Sequence, residues 1–306
     1  MNHALALLLG VVCAGVGGEL FVRGTVSLAT WARIAPGIVG ATVAAFATSS
    51  PELSVSITSA LEGTPQIALG DALGSNVVNI ALILALVLLI SGIECSRDSI
   101  RRDFPVAFLV PVLTGILAFD GTLSRLDAAI LLAAFLIWLT GTVLEARRQR
   151  SAAEQVLGAH RLVPAVLSAV FGLGLLVGAG LLIVYGARGI AVALGLSEFI
   201  IGATVVALGT SVPELATALI SKLRGHDEVG LGTVLGSNIF NGLFIVAVAA
   251  LIHPIVFDPA SVRVALTFGL VAVLLTLPGK GGTIGRGRGV LLLLVYVGYV
   301  VAVARA

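Results

Sequence analysis

Residues 40–83 read GATVAAFATSSPELSVSITSALEGTPQIALGDALGSNVVNIALI, and residues 202–245 read GATVVALGTSVPELATALISKLRGHDEVGLGTVLGSNIFNGLFI. The two stretches align without a gap at an offset of 162, with 21 identities in 44 positions. Shared apolar composition produces similarity, but it does not place GATV, TS-PEL and GSN--N at one fixed offset. The same offset carries Gly18 and Gly24 onto Gly180 and Gly186. The first apolar run is therefore expected to belong to the repeated fold. A cleaved leader is the weaker reading, because no clear A-x-A-like cleavage region follows a short apolar core.

Hydrophobic residues make up 58% of the chain, charged residues 11%, and the mean hydropathy is +1.13. A soluble domain carries roughly 25% charged residues. A chain of 306 residues with so few charges cannot cover a water-facing surface. Its solvent must be largely lipid, where only helices and closed barrels satisfy the backbone. The long apolar runs select helices over the alternating ten-residue segments of a barrel. The fold class is an all-α polytopic membrane protein. Ten spans are expected at 2–27, 36–60, 67–93, 104–119, 124–145, 162–187, 198–221, 229–252, 260–277 and 287–304. The longest polar stretch divides them five and five: an N-terminal repeat over 1–146, a linker over 147–161 and a C-terminal repeat over 162–306.

An odd number of spans per half sets the halves upside down relative to each other. Inverted repeats recur in secondary transporters, with the substrate near the midplane at their interface. Fourteen of the eighteen Lys and Arg residues fall on one side of this layout, including Arg33, Arg97, Arg101, Arg102 and the run from Arg147 to Arg161. Arg125, Arg188, Arg263 and Arg305 fall on the other. The positive-inside rule makes the first side cytoplasmic. The protein is expected in the cell membrane with both termini outside and the Arg147 to Arg161 loop cytoplasmic. The net charge of +2 says nothing of nucleic acid, and none is expected as a partner. Cys13 and Cys95 are isolated, and His3, His160, His226 and His253 show no HxxxH or HExxH spacing. A disulfide framework or a zinc site is not expected.

Glu52 and Glu214 sit inside the second and seventh expected spans at equivalent repeat positions. A charge at bilayer depth is costly and usually marks an ion or proton path. No Lys or Arg lies deep in any expected span to pair with them. Each follows a proline, in Thr48-Ser49-Ser50-Pro51-Glu52 and Thr210-Ser211-Val212-Pro213-Glu214. A proline inside a helix removes a donor and clashes with the carbonyl four residues back, here those of Ala47 and Gly209. Disrupted backbone at membrane depth is tolerated where it is buried or lines a cavity. Thr48, Ser49, Thr210 and Ser211 add hydroxyl oxygen at the same level. In the third and eighth spans, Ser75 and Asn79 are four apart and share a helix face, as do Ser237 and Asn241. Two carboxylates, hydroxyls, amide oxygens and backbone carbonyls, with no Cys or His, form a hard-cation set suited to Ca2+. Na+ can use the same oxygens.

With its paired GATV…TS-PEL and GSN--N motifs, the chain resembles the sodium/calcium exchanger family of the cation/calcium antiporter superfamily. The resemblance implies a central cluster of four ion sites. By it, Glu52 and Glu214 bridge several ions and bind Ca2+, and Thr48, Ser49, Thr210, Ser211, Ser75 and Ser237 supply oxygens. Asn79 and Asn241 line the middle site, and the carbonyls of Ala45 and Ala207 cap flanking Na+ sites. The first and sixth spans would slide across the others to alternate access, with Gly15, Gly17, Gly18, Gly24, Gly172, Gly174, Gly178, Gly180 and Gly186 suiting a sliding face. Many relatives carry Asp where this chain has Asn241, which disfavours K+ cotransport. Proton-coupled relatives usually place Asn before the glutamate where this chain has Thr-Ser.

The expected function is antiport of Ca2+ against Na+ across the lipid bilayer. Antiport against H+ on the same glutamates is the alternative. A Ca2+ channel would build its pore from several subunits, whereas this chain holds a pair of sites by itself. No nucleophile–base constellation or nucleotide loop marks an enzyme. No cofactor and no obligatory protein partner are expected.

Overall fold

The computed structural model describes residues 3–63, 65–152, 162–193, 207–257, 259–279 and 281–303. The linker residues 153–161 and the start of the seventh expected span, with its GATV motif at 202–205, lie outside the described residues. Helix α1 (His3–Ala32) is followed by α2 (Pro36–Thr48) and α3 (Ser50–Leu61), then α4 (Pro65–Ile90), α5 (Arg97–Leu117) and α6 (Arg125–Ala152). In the second half come α7 (Leu162–Ala193), α8 (Ala207–Thr210), α9 (Val212–Leu223), α10 (Asp227–Ile252), α11 (Pro259–Thr276) and α12 (Arg286–Val303). Six of the described helices are long and apolar enough to cross a bilayer, or seven if α2 and α3 form one bent span.

Several helices run further than their hydrophobic stretches. Helix α1 continues past residue 27 to Ala32 because nothing in Ser27 to Ala32 breaks it. It stops where Arg33 takes a φ of 59° and the amide of Ile34 reaches back to the carbonyl of Ala29 at 3.2 Å. That pairing is the left-handed helix ending that satisfies orphan carbonyls. Helix α6 runs past residue 145 to Ala152, so the first residues of the polar linker are helical. Arg, Gln and Ala there are good helix formers. Phe119, Leu126, Ile137, Leu167 and Phe171 project from the outer faces, where a soluble protein would carry charge. The protein is a helical membrane protein.

Two short ribbons tie the halves together. Strand β1 (Ile93–Glu94) pairs antiparallel with β4 (Thr283–Ile284), and β2 (Thr122–Leu123) pairs with β3 (Ile255–Val256). The repeat offset carries Ile93 onto Ile255, so each ribbon has its counterpart in the other. Nearby arginines close helix ends in the same crossed manner. Arg286 donates to the carbonyls of Leu89 and Ile90, and Arg125 to those of Leu251 and Ile252. At the centre, the Asn76 amide donates to the Asn238 carbonyl at 3.2 Å, and the Asn238 amide donates to the Asn76 carbonyl at 3.0 Å. These residues are 162 apart, the repeat offset itself. A reciprocal bond between equivalent residues is what flanks a two-fold axis.

Helices α1 and α7 lie side by side over the rest. A Cβ added at Gly24 would sit 2.5 Å from the Ala169 amide nitrogen, and one at Gly172 would sit 2.5 Å from that of Phe21. The backbones touch at these points, which only glycine allows. Gly15, Gly174 and Gly178 have open space instead and contribute nothing to this close approach.

Candidate ion-transport site

The site is built where two helices break. Between α2 and α3 the chain bends by 45°. Ser49, at the break, has φ −83° and ψ 11°, and Ser211 has φ −84° and ψ 7° between α8 and α9. Both serines precede a helix whose first turn holds a proline and then a glutamate. Proline is tolerated there because its missing donor would have been an orphan anyway. The break thus turns Glu52 and Glu214 inward within the first turn of α3 and α9.

The carbonyls opposite the prolines differ. The Ser50 hydroxyl donates to the Ala47 carbonyl at 2.7 Å, so that oxygen is not left free as the sequence implied. Val212 stands at the equivalent position and has no hydroxyl to offer Gly209.

Helices α4 and α10 cross the middle, and each widens into a π-helical segment, Val78–Leu84 and Phe240–Ile245. Such segments recur at functional sites because they turn side chains out of the α-helical register. Asn79 and Asn241 sit in them. Small residues let α10 approach α2: a Cβ at Gly236 would lie 2.3 Å from the Ala41 carbonyl oxygen.

Glu52, Glu214, Thr48, Ser49, Ser75, Asn79, Ser211, Ser237 and Asn241 are all fully buried, and Thr210 is half-buried. The Glu214 carboxylate accepts hydrogen bonds at 3.1 Å from both Ser49 and Ser237. Ser49 comes from the first half and Ser237 from the second. Thr48 lies 3.5 Å from Ser237 and donates back to the Ala44 carbonyl at 3.0 Å. The Thr210 hydroxyl donates to the Ala207 carbonyl at 3.1 Å. The Ala45 carbonyl accepts from the Ser49 amide at 3.0 Å, and that of Ala207 from the Ser211 amide at 3.2 Å.

Against this, both oxygens of Glu52 are buried with no hydrogen-bond partner among the described residues. The same holds for Ser75 and Ser211, both amide atoms of Asn79 and of Asn241, and the second oxygen of Glu214. None of the ion pairs among the described residues includes either glutamate. An unpaired buried carboxylate costs several kcal/mol. A cation held among these oxygens removes that cost. No three His, Cys, Asp or Glu side chains among the described residues form a metal-binding group by themselves. Any cation here is held by carboxylates together with hydroxyl, amide and carbonyl oxygens.

The sequence pattern of the sodium/calcium exchanger proteins matches residues 2–144 and 164–305. The chain belongs to this family. CaxA of Alkalimonas amylolytica is 36% identical over 96% of each chain. The sodium/calcium exchanger MaX1 of Methanosarcina acetivorans is 28% identical over 97% of each. A solved structure of the sodium-calcium exchanger NCX_Mj, soaked with Na+ and Sr2+, superposes with a TM-score of 0.84 at 30% identity, covering 99% of this chain and 98% of that one. The protein is thus a multi-pass membrane antiporter of the cation/calcium type and not an enzyme.

One residue of this exchanger's interior escaped the sequence reading. Asp71 on α4 acts electrostatically on Glu52 and is itself acted on by Glu214, and both its oxygens are buried without a partner among the described residues. It stands four residues before Ser75 and eight before Asn79, on one helix face. That spacing was the available signal, hidden because Asp71 lies near the start of its span.

Proposed function

We propose that the protein exchanges Ca2+ for Na+ by alternating access, with Glu52 and Glu214 as carboxylates shared by the two ions. The observation that carries this reading is a pair of fully buried glutamates at repeat-equivalent positions, ringed by neutral oxygens and unpaired with any basic side chain among the described residues. Ca2+ takes six to eight oxygen ligands in flexible geometry. Two carboxylates balance its charge. Thr48, Ser49, Thr210, Ser211, Ser75 and Ser237 supply hydroxyl or backbone oxygen, and Asn79 and Asn241 supply amide oxygen. The Ala45 and Ala207 carbonyls flank the cluster and suit Na+. These neutral ligands are the reason to prefer Na+ over H+, because a proton needs only a carboxylate.

Movement of α1 and α7 across the remaining helices would open the cluster to one side and then the other. The bare-backbone contacts at Gly24 and Gly172 give these two helices a common face on which to move together. In this reading the exchanger sits in the cell membrane as two inverted five-helix halves, 1–146 and 162–306. Both termini lie outside and the 147–161 linker is cytoplasmic, with no cofactor and no obligatory protein partner. A single cysteine at Ala153, in a background lacking Cys13 and Cys95, should be shielded from an impermeant thiol reagent in intact cells. Labelling there would reverse the orientation.

The coupling ion is tested by Ca2+ uptake into sealed vesicles holding the purified protein. The vesicles are loaded with Na+, diluted into Na+-free buffer and clamped in pH by an ionophore. Uptake should require internal Na+. Uptake driven by an outward proton gradient, with no response to Na+, would make the protein a Ca2+/H+ antiporter.

A further inference from the structure

The protein handles its buried aspartates in two ways. Asp103 is 1% exposed and is clamped by Arg102, whose guanidinium donates to its two oxygens at 2.8 and 2.9 Å. This is how a structural carboxylate is accommodated away from water. Asp71 has no such clamp. Both its oxygens are buried, and none of the ion pairs among the described residues includes it. What faces it is more negative charge: it acts on Glu52 and is acted on by Glu214. The Thr210 hydroxyl lies beside both Asp71 and Glu52. The Thr210 hydroxyl spends its proton on the Ala207 carbonyl at 3.1 Å, so its lone pairs remain to be used.

We propose that Asp71 is a cation ligand, forming with Glu52 and Thr210 an outer Ca2+ subsite beside the central cluster. This rests on the reading that Glu52 binds Ca2+ and extends it to a residue outside the set implied by the family. Two carboxylates and a hydroxyl are hard oxygen ligands of the kind Ca2+ takes. The three acidic side chains do not converge as one metal-binding group, so Asp71 serves a neighbouring position and not the ion that Glu52 and Glu214 share. Helix geometry sets the order of the positions. Asp71, Ser75 and Asn79 rise about 6 Å per step along one face of α4. Asp71 is on the side of the Glu62-Gly63 turn, and it and Thr210 are half-buried where Glu52, Ser75 and Asn79 are fully enclosed. The subsite is therefore at the mouth of the cluster, where an arriving ion exchanges its first waters for protein oxygen.

The other half has no equivalent. The repeat offset carries Asp71 onto Thr233, whose hydroxyl is turned back onto the Val229 carbonyl of its own helix at 2.8 Å. At this helix position the carboxylate is thus present in the first half and replaced by a hydroxyl in the second.

The test is equilibrium binding of radiolabelled Ca2+ to the purified full-length protein in detergent, with thermal unfolding measured with and without Ca2+. Asp71→Asn should raise the Kd for Ca2+ about tenfold or more, since affinity follows ligand charge. It should also shrink the rise in Tm on adding Ca2+ without lowering the Tm in Ca2+-free buffer. Should that variant not fold, Asp71→Thr, which copies the repeat partner, is read by the same criteria. Wild-type Ca2+ affinity in the variant would overturn the proposal, as would a lower Ca2+-free Tm with affinity unchanged, the mark of a structural residue. Wild-type protein that binds no Ca2+ would instead bring down the Ca2+ reading of Glu52, and this proposal with it.

Discussion

Glu52 and Glu214 are equivalent in sequence, yet the structure treats them differently. Glu214 accepts from Ser49 and Ser237, while Glu52 has two buried oxygens without partners among the described residues and Asp71 as a neighbour. The flanking serines mirror this: the Ser49 hydroxyl is engaged by Glu214, and the Ser211 hydroxyl has no partner among the described residues. A pair of repeats can therefore hold one site in unequal halves. The difference teaches that a cation is needed most at Glu52, because hydroxyl donors already offset part of the charge on Glu214. Charge-assisted hydrogen bonds are worth about 1.5–3 kcal/mol each.

The comparison breaks first if either glutamate is dispensable. Glu52→Gln and Glu214→Gln each remove one of two charges facing the ion, and both should reduce Ca2+ flux in reconstituted vesicles at least about a hundredfold, given several kcal/mol per buried charge. Near-normal flux in either variant, with the protein correctly inserted, would remove that residue from the site.

The frame around the site is tested by glycine. Gly236→Ala places a Cβ 2.3 Å from the Ala41 carbonyl oxygen and must push α10 from α2. Overpacking of this kind costs about 1–3 kcal/mol, and thermal unfolding in detergent should show it as a clear fall in Tm. Gly70, on α4, has open space around it, so Gly70→Ala should be neutral or raise Tm slightly. A fall of equal size in both would mean that helix approach is not what Gly236 provides.

The smallest effect separates the serines. Ser49→Ala removes a donor to Glu214 and should destabilise the Ca2+-free protein by about 1–2 kcal/mol. Ser211→Ala removes no bond seen among the described residues and should leave Ca2+-free stability nearly unchanged. Both should weaken Ca2+ binding. Equal losses of Ca2+-free stability would erase the asymmetry between the two halves.

Much of this was legible from residues alone. The repeat located both glutamates, their hydroxyl neighbours and the Ser75, Asn79, Ser237 and Asn241 faces, because inward-facing polar residues stand out against an apolar background. The helix ends were less legible. Hydropathy reports lipid contact, and α1 and α6 continue beyond it to Ala32 and Ala152. The π segments were invisible because they depend on how α4 and α10 meet the other helices, not on local propensity. Asp71 was passed over because depth was judged from distance to the span end, and burial there is tertiary. The closing of the Ala47 carbonyl by Ser50 was missed for a simpler reason: proline was read as freeing an oxygen, and the adjacent hydroxyl was not weighed as its partner.

The central claim is that Na+ and Ca2+ compete for one site that needs both glutamates. Equilibrium Ca2+ binding to the purified protein, repeated at rising Na+ with pH and ionic strength held constant, tests it most directly. The account predicts that the apparent Kd for Ca2+ rises with Na+ more steeply than first order, because several Na+ replace one Ca2+, and that Glu214→Gln removes the Na+-sensitive binding. An apparent Kd indifferent to Na+ but rising as pH falls would contradict it.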